Sequence, residues 1–291
     1  MSRQWNRNIK LMERSKKVRS QEAHERLHSF MPGLNLAPRM SMYRSFIFPE
    51  AELSEDRVVL DSRESHHLVR VFRARAGEAV ELLDGRGNRY LGALSAVDSR
   101  AAVVDIKEVR SVPPLATGVT LLQSLPKGKA MDLILRIATE IGVSTVAPVF
   151  TARGEVQLKG DRMENKLEKW RLTMVESCKQ CGLPFLPELS APLLLDDYLR
   201  TKTLSPGEIR LVASLEKGAR PLIDAFESDE SPAQVTVAVG PEGDFSHSEY
   251  EALRSNGFQP VRLGANVLRA ETAAAYILSV VDQRLRGHPS N

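Results

Sequence analysis

The sequence predicts an α/β protein in which a mostly parallel sheet, covered by helices on both faces, follows a small β-barrel or sandwich. Three observations predict it. Strand-like and helix-like patterns alternate from residue 118 onwards, the order expected of βα units. Short β-type runs separated by turns fill residues 42–112. Two glycine-marked loops, Val239-Gly240-Pro241-Glu242-Gly243 and Leu263-Gly264-Ala265-Asn266-Val267-Leu268-Arg269, stand where strands end and helices begin. That is where an open α/β sheet binds its ligand.

The β-type runs are Arg57–Leu60, Ala79–Leu83, Tyr90–Leu94 and Ala102–Ile106. Asp84-Gly85, with Arg86-Gly87-Asn88 behind it, reads as a hairpin connection, and Ser111-Val112-Pro113-Pro114 as a linker. Val119–Leu125 is the next strand. Lys129–Ile141 puts Met131, Leu133, Ile134 and Ile137 on an amphipathic helix that ends at Gly142. Val146–Phe150 is a strand, Asp161–Gln180 a long helix ended by Gly182, and Ile209–Leu215 a further strand. Gln234–Val239 alternates β-branched and small residues before breaking at Gly-Pro, and Pro260–Leu263 is a second, shorter strand. Ser246 and Glu249 form a capping box, and Thr272–Leu285 is a last helix rich in Ala, Leu and Ile.

With 291 residues and 42% hydrophobic content, the chain has room for two globular domains. No apolar run approaches the roughly 20 residues needed to cross a bilayer, and the first 40 residues lack the apolar core of a secretory signal. Cys178 and Cys181 can form at most one disulfide, which suits a reducing cytoplasm. The net charge of +3 is unevenly placed: residues 1–40 hold nine Lys/Arg against three Glu, and the rest hold 31 against 34. A nucleic-acid contact by the body of the protein would therefore need a local basic patch.

Five motifs in fixed order carry a family resemblance. They are His66-His67-Leu68-Val69-Arg70-Val71-Phe72-Arg73 with Leu83-Asp84-Gly85, Leu122–Met131, Ala138–Val143, Glu176–Gly182, and the paired glycine loops. Together they resemble the RsmE family of SPOUT RNA methyltransferases over roughly residues 42–287. The resemblance implies a PUA-like RNA-binding barrel over 42–112 and an α/β trefoil-knot methyltransferase domain over 116–288. Residues 1–41 then form an extension: a basic arm, a targeting segment, or a start codon placed too far upstream. By resemblance the cofactor is S-adenosylmethionine, and the product is N3-methyluridine in 16S rRNA of the small ribosomal subunit. The protein would be a homodimer, with the apolar run Ala273–Leu278 either at the interface or in the core, and no metal would be needed.

The same resemblance assigns residues. Leu215, Gly240, Glu242, Gly243, Leu263, Gly264, Val267 and Leu268 would hold the cofactor, although ordinary βα turns also use such glycines. Arg269 would stabilise charge on the uracil oxygens and Glu271 would accept the N3 proton. The plainer readings are a salt bridge for Arg269 and a helix N-terminal acid for Glu271. Arg44, Arg70, Arg73 and Arg75 are the RNA-contact candidates in the barrel, and Lys127, Lys129 and Arg153 those in the α/β part. Asp244 departs from the family where a glycine commonly follows Gly-Pro-Glu-Gly, and Ala130, Ala152 and Leu183 replace charged residues. These departures bear on the RNA target more than on the chemistry. A ribose 2′-O-methyltransferase and a non-catalytic RNA-binding assembly factor are the rival readings.

Metal motifs carry less. Cys178 and Cys181 lack a second cysteine pair. His24-Glu25-Arg26-Leu27-His28 has the zinc-protease spacing but sits in the polar extension without a third ligand.

Overall fold

The structure, a computed structural model, describes residues 42–154, 160–226 and 232–286. The extension and its His24–His28 motif lie outside these residues. A six-stranded sheet forms first, from β1 (Tyr43–Phe46), β2 (Glu52–Leu53), β3 (Arg57–Val59), β4 (Ala79–Leu83), β5 (Asn88–Ala96) and β6 (Val103–Ser111). Its order is β1-β4-β5-β6-β3-β2. The pairing is antiparallel except that β1 runs parallel to β4, a strand the turn pattern alone does not reveal as parallel. Val58, Leu60, Leu68, Val80, Leu82, Leu94 and Val104 fill the inside of this curled sheet. The segment expected as linker begins inside β6. Between β3 and β4 the chain forms helix α1 (Ser62–His66), capped by the Asp61 carboxylate, and runs on as a π turn over His67–Val71.

The second sheet has β7 (Gly118–Ser124), β8 (Thr145–Phe150), β9 (Glu188–Leu189), β10 (Leu193–Leu194), β11 (Glu208–Ala213), β12 (Arg220–Pro221), β13 (Gln234–Val239) and β14 (Phe258–Arg262). All its pairs are parallel, in the order β10-β8-β7-β13-β11-β14-β12, with β9 also on β8. Alternate strand residues go to opposite faces. Val119, Leu121, Val235, Val237 and Leu211 pack on one side beneath α2 (Ala130–Ile141), α3 (Asp161–Cys181) and α6 (Ala270–Arg286). Leu122, Ala147, Val212 and Ala238 pack on the other beneath α4 (Leu195–Thr201) and α5 (His247–Ser255). Covering both faces explains why β13 has five of its six residues buried. Gly142 and Gly182 end α2 and α3 in the left-handed conformation, as the sequence predicts. The short helix α4 escapes the sequence reading because it spans only two turns.

The two sheets are joined by charge. The carboxylate of Glu64, on α1, is buried and takes hydrogen bonds from Ser45 Oγ, from Phe46 N at 3.0 Å and from Lys179 Nζ at 2.9 Å. Lys179 belongs to the last turn of α3 and also reaches Glu176. Beside this pair, Glu81 of β4 lies between Arg44 and Arg89, at 2.6 and 2.9 Å. Burial pushes the Glu81 carboxyl up, but the hydrogen bonds from both arginines outweigh it and hold its pKa below the usual value. Among the described residues no helix is long and apolar enough to cross a membrane.

Candidate active site

Three adjacent parallel strands, β13, β11 and β14, end on the same edge of the second sheet. The loops that leave them line a half-open cleft, and ligands of α/β sheets bind at such strand ends. Leu215 comes from the first of these loops along the chain, Gly240, Pro241, Glu242 and Asp244 from the second, and Leu263, Gly264, Asn266, Val267 and Leu268 from the third. Ala270 and Ala273 of α6 close one side. Seven of the eight residues expected at the cofactor line this cleft. Gly243 does not: a Cβ there would face Arg153 Cβ at 3.3 Å, so its small size admits the Arg153 stem. Leu215 arrives from a loop rather than a strand, because β11 stops at Ala213 and Ser214 N then donates to Val261 O. Asp244 and Asn266 are lining residues the sequence reading left out, although both adjoin residues it named.

The loops are fixed from behind. Glu242 Oε1 accepts from Lys127 N at 3.0 Å, tying the Gly-Pro-Glu-Gly turn to the loop after β7. Arg153 Nη1 donates to Gly243 O at 2.9 Å and to Phe245 O. The capping-box residue Glu249 has a second duty: Oε2 accepts from Ser246 N, and Oε1 accepts from Ala152 N, both at 2.7 Å. Asp244 sits at φ 59°, which explains why a glycine suits the position. Here the side chain supplies its own compensation, since Oδ1 accepts from Phe245 N and from Tyr250 Oη, each at 2.8 Å. Burial, reinforced by the Asp244 carboxylate, keeps the Tyr250 hydroxyl protonated well above its ordinary range.

Comparison with known proteins gives this geometry a family. A model described as an RNA methyltransferase domain matches residues 113–282, and one described as an RNA methyltransferase PUA domain matches residues 60–107. The chain is 32% identical to ribosomal RNA small subunit methyltransferase E of Synechocystis, over 84% of this chain and 78% of that one. With the same-named protein of Aquifex aeolicus it shares 30% identity over 81% of this chain and 98% of the other. A crystal structure of the Neisseria gonorrhoeae enzyme bound to S-adenosyl methionine superposes with a TM-score of 0.74, at 30% identity, covering 84% of this chain and 98% of that one. This chain belongs to the RsmE family of RNA methyltransferases.

For an RsmE-family cleft the question is whether S-adenosylmethionine fits these residues. A Cβ placed on Gly264 would meet no atom within 4 Å, so the backbone there borders open space that any side chain would enter. The walls at Leu215, Leu263, Val267 and Leu268 are apolar, while Asp244, Glu242 and Asn266 offer polar groups. An adenosine with a charged sulfonium tail suits that mixture.

The RsmE resemblance also named residues outside the cleft walls. Arg269 stands at the start of α6, its carbonyl accepting from Ala273 N, between the lining residues Leu268 and Ala270. Its side chain is exposed, and Glu271 is half-buried one residue into the helix. Among the described residues neither makes a side-chain hydrogen bond or ion pair, so the structural salt bridge considered for Arg269 is not formed. Arg70, within the π turn, and Arg73 and Arg75, just after it, are exposed on the barrel. Lys127 and Lys129 are exposed in the loop before α2. Two candidates have other work. Arg44, expected at the RNA surface, gives its guanidinium to Glu81 and to the carbonyls of Lys179 and Gln180 at the end of α3. Arg153 is the clamp on residues 243–245 already described.

The cysteines hold no metal-like arrangement. Cys178 is buried with its thiol pushed up to about 12 by burial, and Cys181 is exposed. Among the described residues no three His, Cys, Asp or Glu side chains converge.

Proposed function

We propose that this protein transfers the methyl group of S-adenosylmethionine to N3 of a uridine in 16S rRNA of the small ribosomal subunit. The observation that carries the reading is the cleft at the ends of β11, β13 and β14, with seven expected cofactor residues on its walls and a family of small-subunit methyltransferases around it. The cofactor supplies an electrophilic methyl on a positively charged sulfur. The chain's own residues must do the rest. Uridine N3 carries a proton at neutral pH, so that proton leaves as the new N–C bond forms. Glu271 accepts it, directly or through one water. Arg269, without a side-chain partner among the described residues, faces the negative charge that spreads onto uracil O2 and O4. Apolar walls exclude water from the reacting atoms and hold them in line.

In this reading the barrel positions RNA through Arg70, Arg73 and Arg75, the knot of the fold family shapes the cleft, and two copies pair through the face beside it. Support for pairing comes from a second depression lined by Leu222, Ile223, Ala265, Tyr276 and Val280, which shares Leu263 and Gly264 with the cleft. Ile223 and Tyr276 expose apolar surface there. The run Ala273–Leu278 divides: Ala273, Ala274, Ile277 and Leu278 fill the chain's own core, and Tyr276 faces out. The cytoplasm, where small subunits mature, is the matching location.

The test is incubation of purified protein and radiolabelled S-adenosylmethionine with undermodified small subunits, followed by nucleoside analysis. Label in N3-methyluridine is expected. Label on another atom would keep the methyltransferase and overturn the uridine N3 assignment.

A further inference from the structure

We infer that the turn after α1 is a stacking platform for an unpaired RNA base, with Phe72 as the ring that receives it. The inference rests on the RNA-methylating reading above and adds the substrate's local form, single-stranded at the barrel. Phe72 is 43% exposed, a position that exposes apolar surface beside Val71 on a small barrel. Its ring is not loose. Tyr43 stacks on it at 5.5 Å with planes 27° apart, and His67 lies at 4.4 Å. The three rings form a short ladder with Phe72 in the middle, and the exposed part of Phe72 is what remains for a partner.

The backbone holds that ladder in place. Phe72 N donates to His67 O at 2.9 Å, closing the π turn, and Ala74 N donates back to Leu68 O at 3.0 Å. Arg73 between them takes φ 56°, the left-handed position that usually falls to glycine. π turns concentrate at functional positions. An arginine in this conformation keeps a charge where a glycine would have served the turn alone.

Charge selects the partner. Residues 62–75 carry Arg63, Arg70, Arg73 and Arg75 against one acid, Glu64, and Glu64 is turned inward to Lys179. Among the described residues no hydrogen bond or ion pair reaches the side chains of Arg70, Arg73 or Arg75, while Arg63 lies over the Phe48 ring at 4.5 Å. Exposed aromatic rings flanked by unpaired guanidiniums are the combination that binds single strands, through base stacking and phosphate contact together. A duplex keeps its bases stacked on one another and offers only its backbone.

Fluorescence anisotropy of the full chain decides the matter, using labelled oligouridine of about twelve nucleotides, near the upper range of single-strand site sizes, and an RNA duplex of the same strand length. Phe72→Ala is expected to weaken oligouridine binding by about tenfold with duplex binding unchanged, and Phe72→Trp is expected to restore it. Arg73→Gly keeps the backbone and is expected to weaken both RNAs and to flatten the salt dependence by about 0.7 in logarithmic slope. Equal oligouridine affinity in wild type and Phe72→Ala would overturn the platform, as would a wild-type preference for duplex. Methyl transfer to small subunits, measured on the same preparations, separates the two readings. Wild-type transfer with an inert Phe72→Ala exchange leaves the enzyme assignment standing without the platform.

Discussion

The carboxylate of Asp244 accepts the Tyr250 hydroxyl at 2.8 Å while its own backbone stands at φ 59°. Loop conformation and side-chain bond therefore depend on one residue. Asp244→Ala removes the acceptor and keeps the strain, and should cost about 2–3 kcal/mol. Asp244→Gly loses the same bonds but relieves the backbone, and should cost about 1 kcal/mol less than the alanine variant. Urea unfolding measures both, with Tyr250→Phe as the background in which the alanine penalty shrinks. Equal costs for glycine and alanine would show that the left-handed backbone is not strained.

Gly264 and Gly240 should separate binding from folding. A Cβ at Gly264 enters open cleft space, whereas one at Gly240 meets the Phe245 ring at 3.2 Å. Gly264→Val is expected to leave the apo melting temperature within about 2 °C while abolishing the rise that saturating S-adenosylmethionine produces, about 2–3 kcal/mol at a hundredfold excess over Kd. Gly240→Ala is expected to lower the apo melting temperature itself. A cofactor-induced shift that survives in Gly264→Val would move the cofactor elsewhere.

Glu81 makes stability depend on acid. Its ordinary value is 4.5, and the arginine pair holds the folded-state value lower. The stabilisation is thus complete above the unfolded value and is lost as pH falls through the folded one. Glu81→Gln should cost about 2 kcal/mol near neutral pH, with the gap to wild type closing below about pH 4. Denaturant titrations across that range report it, and a constant gap would mean the carboxylate's charge contributes nothing.

Arg269 and Glu271 should act on turnover, not on cofactor retention. Arg269→Ala is expected to reduce single-turnover methyl transfer by about 100-fold or more, and Glu271→Gln by a similar factor, with cofactor affinity changed less than about threefold. A Glu271→Gln enzyme of normal rate that has lost helix stability would restore the reading of this residue as an N-terminal helix acid.

Much of this architecture is legible from local pattern. Gln234–Val239 alternates and stops at Gly-Pro, Gly142 and Gly182 mark helix ends, and Ser246 with Glu249 announces a helix start. Each signal spans a few residues, so no tertiary knowledge is required. Legibility fails where the partner is distant. Arg44 looks like a free cation until Glu81 and the carbonyls at 179 and 180 come into view, the latter about 135 residues away along the chain. Arg153 and Gly243 are likewise a pair made only by folding. The segment from Ser62 to Val71 hides its helix because it is short and ends in a π turn, a geometry without a simple hydrophobic period.

The inward-facing Glu64 and Lys179 give the molecule a property of measurement. A buried ion pair between a barrel helix and the longest helix of the catalytic sheet resists opening, because separating it leaves charges without water. Such a pair favours a constant span from barrel surface to cleft, which would let the enzyme act as a caliper rather than a tether. On the proposed function, an RNA held at the barrel must present its methylated base at that separation to occupy both ends together. The shape of such a substrate would then be read as a length.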